Sequence, residues 1–374
     1  MRIAFDITCI KNPMGGYERY ARELLRALAT IPGDHRMVAF AERSYGEHVV
    51  CESPLIERRA PRTLPVFIAK VLFQDQTYWP LLMRHARVDV VHSPVFAGMI
   101  RAPRPYVLTL HDMIPLKDPT TLTPSAAWYW QAVLPRAVAR ADIIITVSGF
   151  SQREICEHFG LTPERVVTIP QGVDPRFRPV RDPETLQAVR ARYRLPASYL
   201  LFVGIASPRK NLDRLVRAFA KLSPSARGEA ELILVGPPGW SNENLTRLLA
   251  GPAGRGVRRL GTVPDDDLPA LYSLARGVVN LSSYEGFGLP ALEALACGTP
   301  LACANASAFP EVVGDCAILV DPRDEEAVSD ALVTLLRGGT EVAARSELGK
   351  RRAAEFTWDR TAQATLEVYR RVAG

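Results

Sequence analysis

The chain has 374 residues, 47% hydrophobic and 23% charged, with a net charge of +6. That balance excludes a disordered chain, a collagen or a disulfide scaffold, and the length suits about two domains. The charge excess is local: residues 53–87 carry Arg58, Arg59, Arg62, Lys70, Arg84 and Arg87 against Glu57 and Asp75. Nucleic-acid binding would need a basic stripe with stacking aromatics or a recognisable module, and neither is present.

From the first residue, 1–7 read as a core strand rather than a signal peptide, and no apolar run reaches the ~18 residues that span a bilayer. Continuous β-branched or aliphatic runs follow at 37–40, 88–92, 106–110, 143–147 and 166–169. A second series lies at 199–203, 231–235, 257–260, 278–281, 301–304 and 317–320. Runs without alternation predict strands buried on both faces. Between them, 17–29 sets Tyr20, Leu24, Leu25 and Leu28 on one helical face, and 212–222 repeats the pattern. The expected class is α/β, with two successive Rossmann-like, doubly wound parallel sheets of about six strands each. Gly172 and the prolines of 172–179 break both periodicities, as a linker does. Six scattered cysteines without a Cys-x-x-Cys pair predict reduced thiols and no zinc site.

In such sheets ligands bind at the carboxyl ends of strands, so the turns after strands carry the candidates. After 278–281 comes Tyr284-Glu285-Gly286-Phe287-Gly288-Leu289-Pro290, which opens a helix bearing Glu293. Gly286 and Gly288 allow close backbone approach, and the N–H groups of Gly288 and Leu289 suit an anion. Glu285 and Glu293 reach one site from different heights, and a ribose diol is a natural partner for one of them. After 199–203, Arg209 and Lys210 bring two positive charges to a strand end; alone they would read as a solvated loop. His111 follows 106–110; a lone histidine is more often structural. Ser148 and Ser151 suit either a helix cap or a ligand contact. Asp265, Asp266 and Asp267 are read as the acidic first turn of a helix rather than a metal site.

The string from Glu285 to Pro300, with Gly15-Gly16, Thr109-Leu110-His111-Asp112, residues 146–151, Pro170-Gln171-Gly172-Val173-Asp174 and residues 204–211, resembles glycosyltransferase family 4 over nearly the whole chain. That resemblance implies the GT-B fold, with two Rossmann-like domains facing across a cleft. Residues 1–178 plus 358–374 would form the acceptor-side domain, and 179–357 the nucleotide-sugar domain. The helix at 358–372 would return to the first domain through Trp358, Ala362, Leu366 and Tyr369.

The resemblance further implies a retaining hexosyltransferase that needs no metal or other cofactor. It would move mannose from GDP-mannose to a growing cell-surface or lipid-linked glycan. Catalytic roles fall to Glu285 on the sugar 3- and 4-hydroxyls, His111 near the 6-hydroxyl, and Lys210 on the diphosphate. Arg209, Lys210, Glu293 (ribose), Phe287, Gly288, Leu289, Gly16 and Val263 (in the nucleobase segment) would bind the donor. Ile205 stands where many relatives carry a further arginine.

UDP-glucose or another donor, and a nucleotide-sugar epimerase or phosphorylase, are the alternatives. A dinucleotide oxidoreductase would need Gly-x-Gly-x-x-Gly, which neither residues 11–17 nor 236–239 supply. A non-catalytic binding protein would not need Glu285, Glu293, Lys210 and His111 together. Residues 53–87, with Leu64, Phe67, Ile68, Val71, Leu72, Tyr78, Trp79 and Leu82 among the bases, suit either an amphipathic helix packed into the first domain or peripheral contact with an anionic membrane. The expected location is cytoplasmic, with this patch on the inner face of the cell membrane.

Overall fold

A computed structural model of the chain describes residues 1–10, 15–41, 50–59, 70–95, 98–117, 124–239 and 243–374. The chain divides into two units, Met1–Gly172 with Thr357–Gly374, and Val173–Phe356.

The first unit is built on β1 (Arg2–Ile7), β2 (Arg36–Ala41), β3 (Ile56–Arg59), β4 (Val90–Ser93), β5 (Tyr106–Thr109), β6 (Ile143–Thr146) and β7 (Val166–Thr168). They form one seven-stranded sheet in the order β3-β2-β1-β4-β5-β6-β7, with every pairing parallel. Ile3 of β1 stands opposite Met37 on one side and Val90 on the other. A strand flanked this way, with helices over both faces, has no solvated side, so its residues are apolar without alternation. The helix Gly16–Thr30 buries Tyr20, Leu24, Leu25 and Leu28.

The second unit holds β8 (Tyr199–Val203), β9 (Glu231–Val235), β10 (Val257–Gly261), β11 (Gly277–Asn280), β12 (Leu301–Ala304) and β13 (Ile318–Val320). Its six-stranded sheet runs β10-β9-β8-β11-β12-β13, again all parallel. Its core gathers Leu200, Phe202, Leu215, Phe219, Leu232, Val279, Ala302 and Leu332. The strand order reverses between β1 and β4 in one sheet and between β8 and β11 in the other. Diverging helices on either side of such a reversal open a crevice at the strand ends.

The last helix, Trp358–Ala373, belongs to the first unit and buries Trp358, Ala362, Leu366 and Tyr369. Thr357 caps it by accepting from Arg360 N. Tyr369 Oη lies 2.6 Å from His92 Nδ1, and His92 Nε2 lies 2.8 Å from Thr109 Oγ1, so a buried polar chain ties this helix to β4 and β5.

The basic segment meets the helical expectation in part: its second half is helical and packs Trp79, Met83 and Leu82 into the core of the first unit, whereas its start is a strand. Ile56–Arg59 is an edge strand, the seventh of its sheet, and carries Arg58 and Arg59. A four-residue strand with a single apolar residue shows no hydrophobic run, because an edge has little to bury, and its charges discourage pairing with another chain. Arg59 and Arg2 both reach Glu57. Among the described residues there, Lys70–Tyr78, in wide π-type turns, and Trp79–His85 are helical. Arg62, Leu64, Phe67 and Ile68 lie outside the described residues. Among the described residues no helix is long and apolar enough to cross a membrane.

Candidate active site

In the second unit the turns after β8 and β11 flank the reversal, and they carry the charged candidates. Arg209 and Lys210 sit in a single 3₁₀ turn, Pro208–Lys210, after β8. Glu285 follows β11. Arg209 Nη1 lies 2.8 Å from Glu285 Oε1, and Lys210 Nζ donates to that same oxygen. Lys210 is 5% exposed and Glu285 9%. Burial opposes ionisation of Glu285, but Arg209 and Lys210 outweigh it and hold the carboxyl at about 2. The turns are also tied through backbone: Arg209 Nη1 donates to Tyr284 O at 2.8 Å, and Ser283 N donates to Arg209 O at 2.8 Å. Ser307, in the turn after β12, accepts from Glu285 N at 3.0 Å while holding a left-handed φ of 54°.

Gly288 has φ 100°, and a Cβ there would lie 2.8 Å from the Phe309 ring, so no other residue fits at this entry to the helix Leu289–Ala296. One turn in, Glu293 is 2% exposed, and its Oε2 accepts from Tyr272 Oη at 2.8 Å. The Phe287 ring is buried edge-on against Phe356, with centroids 5.8 Å apart. Val263, also buried, follows β10. The turn after β9 closes on the turn after β8: a Cβ on Gly236 would lie 2.1 Å from Gly204 O. These contacts bring Arg209, Lys210, Glu285 and Glu293 to one edge of one sheet.

The corresponding edge of the first unit is aromatic, with a buried histidine and one hydrogen-bonded carboxylate. His111 Nε2 lies 3.0 Å from Pro94 O, so Nε2 must carry the proton and Nδ1 the lone pair. Nδ1 is buried without a hydrogen-bond partner among the described residues. Burial pushes His111 down to about 4, against the bond to Pro94. The rings of Tyr20 and Tyr17 pack on it at centroid distances of 4.5 and 5.0 Å. Asp112 accepts from Tyr17 Oη at 2.9 Å and from Ile114 N at 3.0 Å. Ser148 caps the helix Gly149–Phe159 by accepting from Ser151 N, and Ser151 Oγ donates to His111 O at 3.2 Å. The pair thus ties the start of this helix to the His111 turn. Gly15 precedes the helix Gly16–Thr30 with φ 68°, and Gly16 is exposed at its start.

Asp265–Asp267 forms a 3₁₀ turn leading into Leu268–Leu274. Asp267 accepts from Arg192 at 2.7 and 2.8 Å and from Tyr193, and Asp266 pairs with Arg176 at 3.0 Å. Tyr272, Ser307 and Tyr17 went unnoticed in the sequence. Each acts through a partner between 21 and 95 residues away, which no local pattern marks.

Comparison with known proteins agrees with this layout. Residues 14–177 match the model described as Glycosyltransferase Family 4, and residues 191–352 match that described as Glycosyl transferases group 1. The O-antigen chain mannosyltransferase B of Escherichia coli is 32% identical, the alignment covering 99% of this chain and 100% of that one. The MMP alpha-(1->4)-mannosyltransferase of Mycolicibacterium hassiacum is 30% identical, with 99% and 98% covered. In fold, the chain resembles Anabaena HepE, solved with UDP and glucose, at a TM-score of 0.77 and 19% identity, covering 98% and 99%. The chain belongs to glycosyltransferase family 4, and its two parallel sheets are those of the GT-B fold.

Proposed function

We propose that the chain transfers mannose from GDP-mannose, with retention of configuration, to a hydroxyl of a growing cell-surface or lipid-linked glycan. The observation that carries the donor site is the convergence of Arg209 and Lys210 on Glu285 beside the strand-order reversal. Mannose is supported by the names of the two full-length relatives, and a polysaccharide acceptor by the first of them.

In this reading the bond from the sugar's anomeric carbon to the diphosphate breaks, and the acceptor oxygen bonds to that carbon from the same face. The acceptor proton passes to the leaving phosphate, so no protein nucleophile is required. Negative charge grows on the diphosphate, where Arg209, Lys210 and the N–H groups of Gly288 and Leu289 stabilise it. Those charges replace a metal. Glu285 accepts from the 3- and 4-hydroxyls. Glu293, one oxygen fixed by Tyr272, accepts from ribose. His111 stays neutral at pH 7, and its Nδ1 lone pair accepts a sugar hydroxyl. Gly16 and the Val263 segment contact the donor through backbone.

The test is a panel of nucleotide sugars, including UDP-glucose, with an oligosaccharide acceptor and NMR assignment of the product anomer. Turnover should be highest with GDP-mannose, give an α-linked product and survive EDTA. Loss of activity on chelation, restored by magnesium or manganese, would overturn the metal-free reading.

The same proposal includes peripheral attachment to an anionic membrane on the cytoplasmic side through residues 53–87. Phe73 and Leu81 are 62% and 47% exposed, and Leu81 lies one helical turn before Arg84. Gln76 Nε2 donates to Gly98 O, and so does Tyr129 Oη of the helix Pro124–Ala132, on which Trp128 is 45% exposed. Binding to anionic vesicles should weaken with salt and with Arg58→Glu, Arg59→Glu and Arg62→Glu combined, while donor hydrolysis is unchanged. Equal binding to neutral vesicles would remove the electrostatic part.

A further inference from the structure

Two cations and one carboxylate meet beside the order reversal of the second sheet, and both cations end on one atom. Arg209 Nη1 lies 2.8 Å from Glu285 Oε1, and Lys210 Nζ donates to it as well. With Lys210 and Glu285 both buried, water screens this cluster little. An anion arriving at Arg209 and Lys210 thus meets donors that are already engaged.

The backbone around Glu285 is held independently of its carboxylate. Ser307 Oγ accepts from Glu285 N at 3.0 Å, and Arg209 reaches the neighbouring Tyr284 carbonyl at 2.8 Å. A change of partner at the carboxylate therefore requires rotation of one side chain, with the turn staying in place.

We propose that Glu285 is an internal counter-ion of the donor site, displaced by a nucleoside diphosphate, and that this displacement is what turns its carboxylate toward the sugar. The inference rests on the reading above, in which Arg209 and Lys210 take the diphosphate. The exchange balances: the diphosphate oxygens accept the N–H donors that Oε1 releases, and no covalent bond changes. Glu285 is then a buried anion that has lost its cations, a costly state unless new donors appear. The hydroxyls of an attached hexose are such donors. A nucleoside diphosphate without a sugar offers none, so Glu285 competes to return and weakens the product's hold. One carboxylate thus couples recognition of the sugar to release of the spent nucleotide.

The experiment is calorimetric titration of the full chain with GDP, UDP, ADP, GDP-mannose and guanosine. Parent, Glu285→Gln and Glu285→Ala are compared. The first substitution keeps the shape and removes the charge; the second guards against one variant failing to fold. Both should bind GDP about tenfold more tightly than the parent, because the competing anion is gone. Guanosine should bind all three alike, and the affinity of GDP-mannose relative to GDP should fall in both variants. A parent that binds a nucleoside diphosphate, with variants that bind it equally or more weakly, would overturn the exchange alone. A parent that binds none of the three diphosphates would overturn the donor-site reading with it.

Discussion

The two strand-end edges of this chain solve different problems with the same backbone plan. At the end of the second sheet charges are paired: Arg209 and Lys210 converge on Glu285, while Glu293 accepts from Tyr272. At the end of the first sheet the histidine is neutral and packed: His111 lies against the rings of Tyr17 and Tyr20 with its Nε2–H turned to a backbone carbonyl, and the one carboxylate, Asp112, is held by Tyr17 and Ile114 N. A parallel sheet supplies the crevice in both, and the side chains decide whether it suits an anion or uncharged hydroxyls. The first edge is preorganised by packing and the second by charge, so they should fail under different perturbations.

The largest expected effect comes from stopping the chain after Phe356. Trp358, Leu366 and Tyr369 are each worth about 1.5–3 kcal/mol of burial, and His92 Nδ1 would lose its bond to Tyr369. The first unit should lose its cooperative unfolding transition while the second still binds GDP. A truncated chain with the parent's melting profile would break the contrast.

Next in size is Lys210→Ala, which leaves a buried carboxylate with one cation fewer, at about 3–5 kcal/mol. Diphosphate affinity and turnover should fall together, with guanosine binding unchanged in calorimetry. The change should not reach the melting of the first unit.

Acid should separate the units in the opposite sense. Burial holds His92 at about 3 and His111 at about 4, whereas in the unfolded chain both titrate near 6.5. Between those values the unfolded state binds more protons, so their contribution is complete above 6.5 and shrinks as the pH falls toward 4. Each histidine should cost about 2 kcal/mol at pH 5. Glu285, held at about 2, keeps its contribution until the pH falls below 4.5. Calorimetric scans from pH 7 to 5 should therefore lower the transition of the first unit more than that of the second. Equal shifts would contradict the assignment of buried, neutral histidines.

The smallest effect sharpens the second edge alone. Glu293→Ala removes a charged acceptor worth about 1.5–3 kcal/mol, and should weaken GDP more than turnover at saturating donor. Glu285→Ala should show the reverse, with turnover depressed most. Unchanged GDP affinity in Glu293→Ala would remove it from the ribose.

Much of this was written locally in the sequence. Eight residues across a glycine turn place Glu285 and Glu293 at one helix start, and the continuous apolar runs mark strands that are buried on both faces. The strand 56–59 was not legible, because at a sheet edge only Ile56 has a place to bury and Glu57, Arg58 and Arg59 read as surface. Nor did the serines at 148 and 151 declare their partners: beyond the local cap on Ser151 N, the bond to His111 O joins residues that only the fold brings together.

The sequence by itself determined the class of fold, the family and the chemical types at each strand end, since periodicity and turn residues act over a few positions. Tertiary structure alone decided who partners whom. Lys210 and Glu285 are 75 residues apart, and Tyr17 and Asp112 are 95. The first pair meets because β8 lies beside β11 at the order reversal, the second because the helix after β1 packs near the end of β5. Strand order is a global property of the packed sheet, and no local run of residues encodes it.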